Sequence, residues 1–430
     1  MPHQEAVTVR AWVRAGAVDA LDTLLREVGG DVEGNAIIPF GSFGNIHFAR
    51  LVIVPEAHDL DGNKIRASLV YAANVDGDGA AHLRELVRGA GEGVDRIFGH
   101  CEDYPRAAND HTRFEYLSTR RIPTHAFYVN TVGRSARQAS DEAILREALE
   151  QELDRLHRSG QAASAAEVRK QLQAHVEQRP QLAFARKPAE PISLGFRIRE
   201  RVTFFGTLFG LLLLAPAFLI GLPFFLLILR MHEVRDAQRR QPLRLSAEEQ
   251  FNLRLQEDHV VQNQISAVGN AKRGMFRSLT LRVLLWGLDF AAKHVFNKGD
   301  LGTVKLLKLY GVDTIHFAQW IIIDEGRRVL FFSNYDGSLV SYMDDFVNKV
   351  AWGLNAVFSN GETYPNTRWL VLDGAHDEQQ FKAFLHKHQI PTQAWYSAHK
   401  RYTALNLMNN AGIRRELYAE RDAAPLLARL

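Results

Sequence analysis

Apolar residues recur with two different periods along the chain, alternating in some stretches and returning every three to four residues in others. Alternation predicts strands, and the longer period predicts amphipathic helices. In the N-terminal part the pattern predicts the order βαββαβ, at residues 6–13, 18–28, 46–54, 67–74, 80–98 and 125–132. The C-terminal part repeats that order, at residues 260–268, 279–296, 315–324, 328–334, 339–358 and 368–372. A helix at 378–388, a short strand around Trp395 and a helix from about Ala404 are predicted to follow.

Short sequence matches support an internal duplication. Residues 46–49 and residues 315–318 both read Ile-His-Phe-Ala, and each run opens an apolar strand. Downstream, Asn-Val-Asp-Gly at 74–77 corresponds to Asn-Tyr-Asp-Gly at 334–337. Repeats of this length in the same order indicate two copies of one supersecondary unit. A βαββαβ unit forms an antiparallel sheet with both helices on one face, so a second copy is the natural cover for the other face.

One segment in the middle of the chain has the composition of a membrane segment. Residues 202–229 contain no charged side chain, and 28 helical residues are longer than a hydrocarbon core of about 30 Å. Pro216 and Pro223 predict a break near the middle of the run. Arginines flank both ends, and positive charge prefers the cytoplasmic side. The sequence therefore favours a re-entrant or in-plane hairpin over a single span. The flanking arginines are Arg197, Arg199, Arg201, Arg230, Arg235, Arg239 and Arg240.

These patterns predict an α+β fold in which two tandem ferredoxin-like modules pair as a dimeric α+β barrel. The first module is placed at 1–134 and the second at 231–400. A charged helical linker at 135–200 and a membrane segment at 201–230 separate them, and residues 401–430 form a helical tail. The sequence leaves open whether the barrel closes within one chain or between two.

Composition excludes several classes of function and indicates the cellular compartment. The 430 residues include 52 Lys and Arg against 49 Asp and Glu, so the basic footprint of a nucleic-acid binder is missing. The single cysteine, Cys101, excludes internal disulfides, cysteine-rich zinc sites and cysteine-held iron–sulfur clusters. The first residues lack the pattern of a signal peptide. The expected location is the cytoplasmic face of a membrane.

Five residues of the repeated strands and turns are candidates for chemistry. Arg50 shares a face of an apolar strand with Phe48 and Val52, where a guanidinium needs either a carboxylate partner or a ligand. His47 and His316 could hold iron or move protons, or could fix the strand start by a hydrogen bond. The other two candidates lie in the turns that follow the third strands, where each could cap the next helix or act as an acid or base. They are Asp76 and Asp336.

The duplicated unit with an Asp-Gly turn resembles the dimeric α+β barrel superfamily and, within it, the dye-decolourising peroxidases. That family has a Gly-x-x-Asp-Gly motif, whose aspartate works beside a distal arginine above a haem held by a proximal histidine. The matching stretches here are 73–77 and 333–337, with Ala73 and Ser333 in place of the first glycine. The resemblance covers about residues 1–135 and 255–400 at the level of element order.

The resemblance implies a haem and a set of site residues. The implied catalytic residues are Asp76, Asp336 and Arg50. The implied cofactor-binding residues are His316, His47 and Asn334, with His316 as the ligand of the haem iron.

The leading hypothesis is a membrane-anchored, haem-dependent and peroxidase-like oxidoreductase that acts on a lipophilic small molecule. A non-catalytic, membrane-tethered protein that binds a lipid or a partner is the first alternative. A cofactor-free barrel monooxygenase or lyase is the second, because fold alone does not determine chemistry. The expected partners are a lipid bilayer and a lipophilic substrate, with no nucleic acid, and a homo-oligomer is left open.

Overall fold

The computed structural model describes residues 3–160, 164–239, 248, 251, 261–295, 314–420 and 422–430. Parts of the predicted second module, including 252–260 and 296–313, lie outside these residues. The strands are β1 (Gln4–Trp12), β2 (Ile46–Val54), β3 (Ala57–His58), β4 (Lys64–Ile65), β5 (Ser68–Asp76), β6 (Ala126–Val129), β7 (Gln262–Asn270), β8 (Ile315–Ile323), β9 (Arg328–Asp336), β10 (Thr367–Arg368), β11 (Leu372–Asp373) and β12 (Ala394–Ser397).

The fold mixes helices with small antiparallel sheets and contains one long apolar helix, which confirms the coarse prediction from the sequence. The helices are α1 (Val18–Gly30), α2 (Gly79–Phe98), α3 (Asp110–Thr119), α4 (Ala136–Ser159), α5 (Ala165–Glu177), α6 (Leu194–Arg239), α7 (Met275–His294), α8 (Leu339–Phe358), α9 (Glu378–His388), α10 (Ala404–Leu417) and α11 (Ala424–Leu427).

Two four-stranded sheets form the centre of the molecule, and they exchange their edge strands. The first sheet has the order β1-β5-β2-β12 and the second has the order β6-β8-β9-β7. Strand β12 from the C-terminal half therefore completes the first sheet, while β6 from the N-terminal half completes the second. The strand predicted at 368–372 is wrong, because this segment contains only the short β10–β11 pair. The fourth strand of that half is instead the one around Trp395.

The two sheets face each other across a shared apolar layer. Alternation along β2 turns Val52 toward this layer, where it joins Val70, Ile321, Leu330 and Phe332. The opposite face of the first sheet packs on α1, α2 and α3, and that of the second packs on α7, α8 and α9. The near-continuous apolar runs in β2 and β8 follow from this arrangement, since both faces of these strands are buried.

The predicted linker and the predicted tail pack together as one helical unit. Helices α4 and α5 share a buried cluster with α10 and α11, which contains Leu145, Leu149, Leu172, Ile413 and Leu417. Each of these residues lies on the inner side of an amphipathic helix, so no single helix of the group could bury its apolar face alone.

The segment predicted to form a hairpin is one continuous helix in the structure. Helix α6 has 46 residues and contains both Pro216 and Pro223 in its interior. At 1.5 Å per residue it is about 69 Å long. Each proline removes one backbone hydrogen bond, and apolar helices of membrane proteins tolerate such losses. By length and composition, the described residues contain this one helix that could cross a membrane, at Leu194–Ala237.

Candidate functional site

Strands β2 and β8 each contain a β-bulge near their start. Each bulge directs a histidine toward the end of the neighbouring strand, β5 or β9. In β2 the pairing moves from Ile46 opposite Val75 to Phe48 opposite Asn74, so His47 has no partner in the ladder. The same shift in β8 leaves out His316. Bulges of this kind redirect a side chain away from the regular alternation.

Both redirected histidines form hydrogen-bonded pairs with the aspartates of the Asp-Gly turns. His47 Nε2 lies 3.0 Å from Asp76 Oδ1, and His316 Nε2 lies 2.7 Å from Asp336 Oδ1. Because an ionised carboxylate only accepts hydrogen bonds, each Nε2 is the donor. The two halves of the chain therefore contain the same His–Asp pair at equivalent positions.

The second oxygen of each aspartate holds the helix that follows an exchanged strand. Asp76 Oδ2 accepts from the amide of Ala136 at 2.7 Å, and Asp336 Oδ2 accepts from the amide of Ala404 at 2.8 Å. These amides begin α4 and α10, where a negative charge also interacts favourably with the helix dipole. The expectation that the two aspartates cap the next helix in sequence is wrong. Those helices are capped by Asp78 and Ser338.

His399 lies between the two pairs and was not singled out by the sequence. Its ring centroid is 6.4 Å from that of His47, and its side chain is buried. Burial, together with charge on His47 and His316, lowers the pKa of His399 to about 3. Its position comes from the turn after β12, which places it in the group only because β12 joins the first sheet. No spacing in the sequence could reveal this.

A small cavity separates His47, His316 and His399. Its volume is about 40 Å³, which is room for roughly three water molecules. Gln262 lies beside it, with its amide Nε2 3.3 Å from His316 Nε2 and its Oε1 accepting from Ser397. The described part of the chain contains no group of three or more His, Cys, Asp or Glu residues arranged to hold a metal ion.

Arg50 lies between the two sheets and is surrounded by neutral acceptors. Its guanidinium donates to Gln264 Oε1 at 3.0 Å, to Ser266 Oγ at 3.0 Å and to Asn334 Oδ1 at 2.5 Å. It also donates to the backbone carbonyls of Ile265 and Ser333. All five of these acceptors belong to the second sheet. The side chain therefore ties the two sheets together.

Asn334 belongs to the Arg50 network and not to the histidine group. Its Oδ1 also accepts from Trp395 Nε1 at 3.0 Å, and its Nδ2 donates to Asn74 Oδ1 at 3.2 Å. The structure thus divides the predicted site residues into the two His–Asp pairs and a separate network around Arg50. They do not form one pocket.

The predicted haem-binding residues do not fit a haem. A histidine nitrogen that binds iron must face the metal, whereas Nε2 of His316 lies 2.7 Å from Asp336 Oδ1 and is occupied by that contact. The cavity at His316 has about 40 Å³, far less than a porphyrin needs. The contacts of Arg50 likewise hold its guanidinium against protein acceptors. No catalytic step through a haem follows from this arrangement.

A much larger cavity lies elsewhere, between β1, β6 and the start of α6. Its volume is about 850 Å³, and none of the six predicted site residues lines it. One wall is apolar and includes Ile122, Phe127, Val129 and Phe196. Most of its charged groups are paired within the protein, as in the contact of Lys293 with Asp289. The cavity therefore suits a molecule with an apolar part and no strong net charge.

The structural role of the aspartates can be tested by measuring the free energy of unfolding. Replacing Asp336 by asparagine is expected to lower the free energy of unfolding by about 2 kcal/mol, because charge-assisted bonds to His316 and to the amide of Ala404 are weakened. Urea unfolding followed by circular dichroism measures this change. The control is Asp61→Asn, at an exposed ion pair with Arg273, which should change stability by less than about 0.5 kcal/mol. Equal effects of the two substitutions would contradict the structural role of Asp336.

Comparison with protein-family models, with curated proteins and with solved structures gives no match for this chain. Functional conclusions therefore depend on its own residues.

Proposed function

We propose that this protein is attached to a membrane and works there as a non-catalytic binding protein for a lipophilic molecule. The observation that carries the proposal is helix α6. Its most apolar 18-residue window has a mean hydropathy of 2.7, and none of that window is buried inside the protein. A soluble protein does not expose an apolar surface of this size to water, because such patches mark contacts with membranes or partners.

The cavity at the start of α6 supports the choice of ligand. Phe196, Arg199 and Glu200 of α6 line its rim, together with Lys293 and His294 at the end of α7. A molecule that leaves the bilayer along α6 would meet this opening first. The apolar wall on β6 can take a hydrocarbon part, while the paired charges at the rim can face a polar head.

An enzymatic role has less support. The residues implied as catalytic by the peroxidase resemblance are used in contacts that hold the fold together, since Asp76 and Asp336 fix helices and Arg50 joins the sheets. The oxidoreductase hypothesis therefore ranks below the binding hypothesis.

We also propose that the two halves arose by duplication and pair as ferredoxin-like modules of an α+β barrel. Both halves have the bulged histidine and the aspartate that holds a helix after the exchanged strand. In addition, α2 and α8 each have a non-helical residue at their twelfth position, Ala90 and Val350, with φ of −143° and −139°. Irregularities shared at equivalent positions support descent from one unit.

Membrane attachment is tested by flotation of the purified protein with vesicles of phosphatidylcholine and phosphatidylglycerol. The parent chain is expected to float with the vesicles. The double substitution Leu213→Asp and Leu219→Asp, at exposed positions of α6, should reduce binding more than 100-fold, because each buried carboxylate costs about 3 kcal/mol. The control is Ile144→Asp on α4, which is equally apolar and 50% exposed.

The same samples test the alternatives. A parent chain that remains unbound would overturn the proposed attachment. A haem absorption band at one haem per chain, in protein made with haem precursor supplied, would favour the oxidoreductase instead.

A further inference from the structure

Both ends of α6 are held by the same folded body. Near its start, the ring of Phe196 stacks on His3, with centroids 4.8 Å apart. Near its end, the buried carboxylate of Glu233 accepts from the amides of Trp369 and Leu370 at 3.0 and 2.9 Å. The structure therefore contains one body to which the helix is attached on both sides of its apolar stretch.

Aromatic contacts also join α6 to α7 near both ends of the apolar run, in antiparallel order. Phe204 stacks on Phe290, with centroids 5.6 Å apart, and Phe225 contacts Phe276 at 5.4 Å. These two ring contacts lie near the two ends of the apolar run, and the residues between them are largely exposed. If α6 crossed a bilayer, α7 would have to follow it into the hydrocarbon with the exposed charge of Lys293, which is costly.

Helix α7 carries an exposed apolar stripe next to α6. The stripe consists of Met275, Leu279, Val283 and Trp286, which are 50–87% exposed and share one face of the helix. Trp286 stacks on Phe290, the residue that contacts Phe204 of α6. The stripe is therefore continuous with the surface of α6.

The turn between β10 and β11 extends the same surface at the other end of α6. Trp369 and Leu372 are 41% and 45% exposed, and the guanidinium of Arg230 lies over the Trp369 ring at 6.0 Å. Tryptophan and arginine are the residues that favour the boundary between hydrocarbon and headgroups. We use the term apolar face for the exposed side of α6, the stripe on α7 and this turn.

Charge near the apolar face matches a bilayer with anionic lipids. Arg199 and Arg201 are exposed before the apolar run of α6, and Arg235 is exposed after it. A spanning helix would place one of these basic ends on the side that positive charge avoids. A helix lying in the headgroup region can bring both ends to anionic headgroups of one leaflet.

We propose that α6 lies in the plane of one leaflet and that the whole apolar face, including the α7 stripe, contacts the lipid. This inference rests on the proposed membrane attachment and specifies its geometry. The apolar stretch of about 42 Å is also longer than a hydrocarbon core of about 30 Å, a mismatch that an in-plane helix does not have.

The orientation is tested by labelling single cysteines in the full-length chain. The native cysteine, Cys101, is buried, and Cys101→Ser removes it so that each variant has one cysteine. Leu194→Cys and Val234→Cys report the two ends of α6, and Ile144→Cys reports the side of the body. Membrane-impermeant maleimide is added to intact spheroplasts and to inverted vesicles of the expressing cells. All three cysteines are expected to react only in inverted vesicles. Reaction of the two α6 ends from opposite sides would overturn the in-plane orientation while leaving membrane attachment intact.

The contribution of α7 is tested by flotation with the same phosphatidylcholine and phosphatidylglycerol vesicles. The double substitution Leu279→Glu and Val283→Glu is expected to weaken binding at least about tenfold, because both side chains would leave the lipid. Ile144→Glu is the control, with no change expected. Binding by the double variant equal to that of the control would remove α7 from the apolar face. Circular dichroism shows that each variant is folded.

Discussion

Replacing Arg50 by methionine is expected to lower the free energy of unfolding by about 4 kcal/mol or more. The guanidinium donates to acceptors on β7 and β9, including Gln264, Ser266 and Asn334, all of which are buried. Methionine would remove all of these bonds from a charged donor at once, and each contributes about 1.5–3 kcal/mol, while the three side chains keep their bonds to Thr392 and Trp395. Because the bonds join the two sheets, the loss should also reduce cooperativity. Urea unfolding followed by circular dichroism and by tryptophan fluorescence measures both effects.

The chain offers a matched control for this substitution. Gln319 occupies the equivalent place in β8 and is also buried, but its side chain accepts a long hydrogen bond of 3.5 Å from Asn74. Gln319→Leu should therefore cost only about 1 kcal/mol. Arg50→Lys keeps the charge but not the planar guanidinium. Its loss of unfolding free energy should lie between those of Arg50→Met and Gln319→Leu. If Arg50→Met were as stable as Gln319→Leu, the guanidinium would not join the sheets.

Acidification from pH 7 to pH 5 is expected to destabilise the protein by about 4 kcal/mol through two buried histidines. Burial lowers the pKa of His82 to about 4 and that of His399 to about 3, against an ordinary value of 6.5. Between pH 6.5 and pH 5 the two histidines therefore bind protons in the unfolded chain but stay neutral in the folded protein. The stabilisation is complete above pH 6.5 and is lost as the pH falls toward the folded pKa values, at about 1.4 kcal/mol per unit for each group.

Thermal unfolding at a series of pH values measures this dependence. The double variant His82→Gln and His399→Gln should lose most of the slope between pH 6.5 and pH 5, whatever its stability at pH 7. His82 accepts or donates a bond of 2.7 Å with the hydroxyl of Tyr71, so the variant will be less stable overall. His111→Gln, at an exposed position of α3, should retain the parent slope. A parent slope in the double variant would assign the acid sensitivity to other groups.

The periodicity of apolar residues predicts most of the individual elements but not which sheet each strand joins. Strand β2 and helix α8 have the bounds expected from the pattern. The exchange of β6 and β12 could not be predicted, because both are short and their partners are chosen by packing across the whole molecule. The break expected at Pro216 and Pro223 was wrong, because a helix of this apolar composition tolerates the loss of two backbone hydrogen bonds.

The candidate site could be predicted only in part. Repetition within the sequence singled out His47, Asp76, His316 and Asp336, and the structure places them in two equivalent pairs. The sequence could not show that each aspartate has a second partner in a distant helix amide. It also could not show that Arg50 meets neutral acceptors, since the strands that supply them, β7 and β9, lie more than 200 residues away.

The exchanged edge strands determine the order in which the protein can be completed during synthesis. The first sheet lacks an edge strand until residues 394–397 have left the ribosome, almost at the end of translation. Until then β2 presents an unpaired edge, a state that favours aggregation. Helix α6 emerges long before β12, so the nascent chain can reach a membrane while its first sheet is still open. Neither half could be expressed alone as a finished domain, because each would lack a strand that the other supplies.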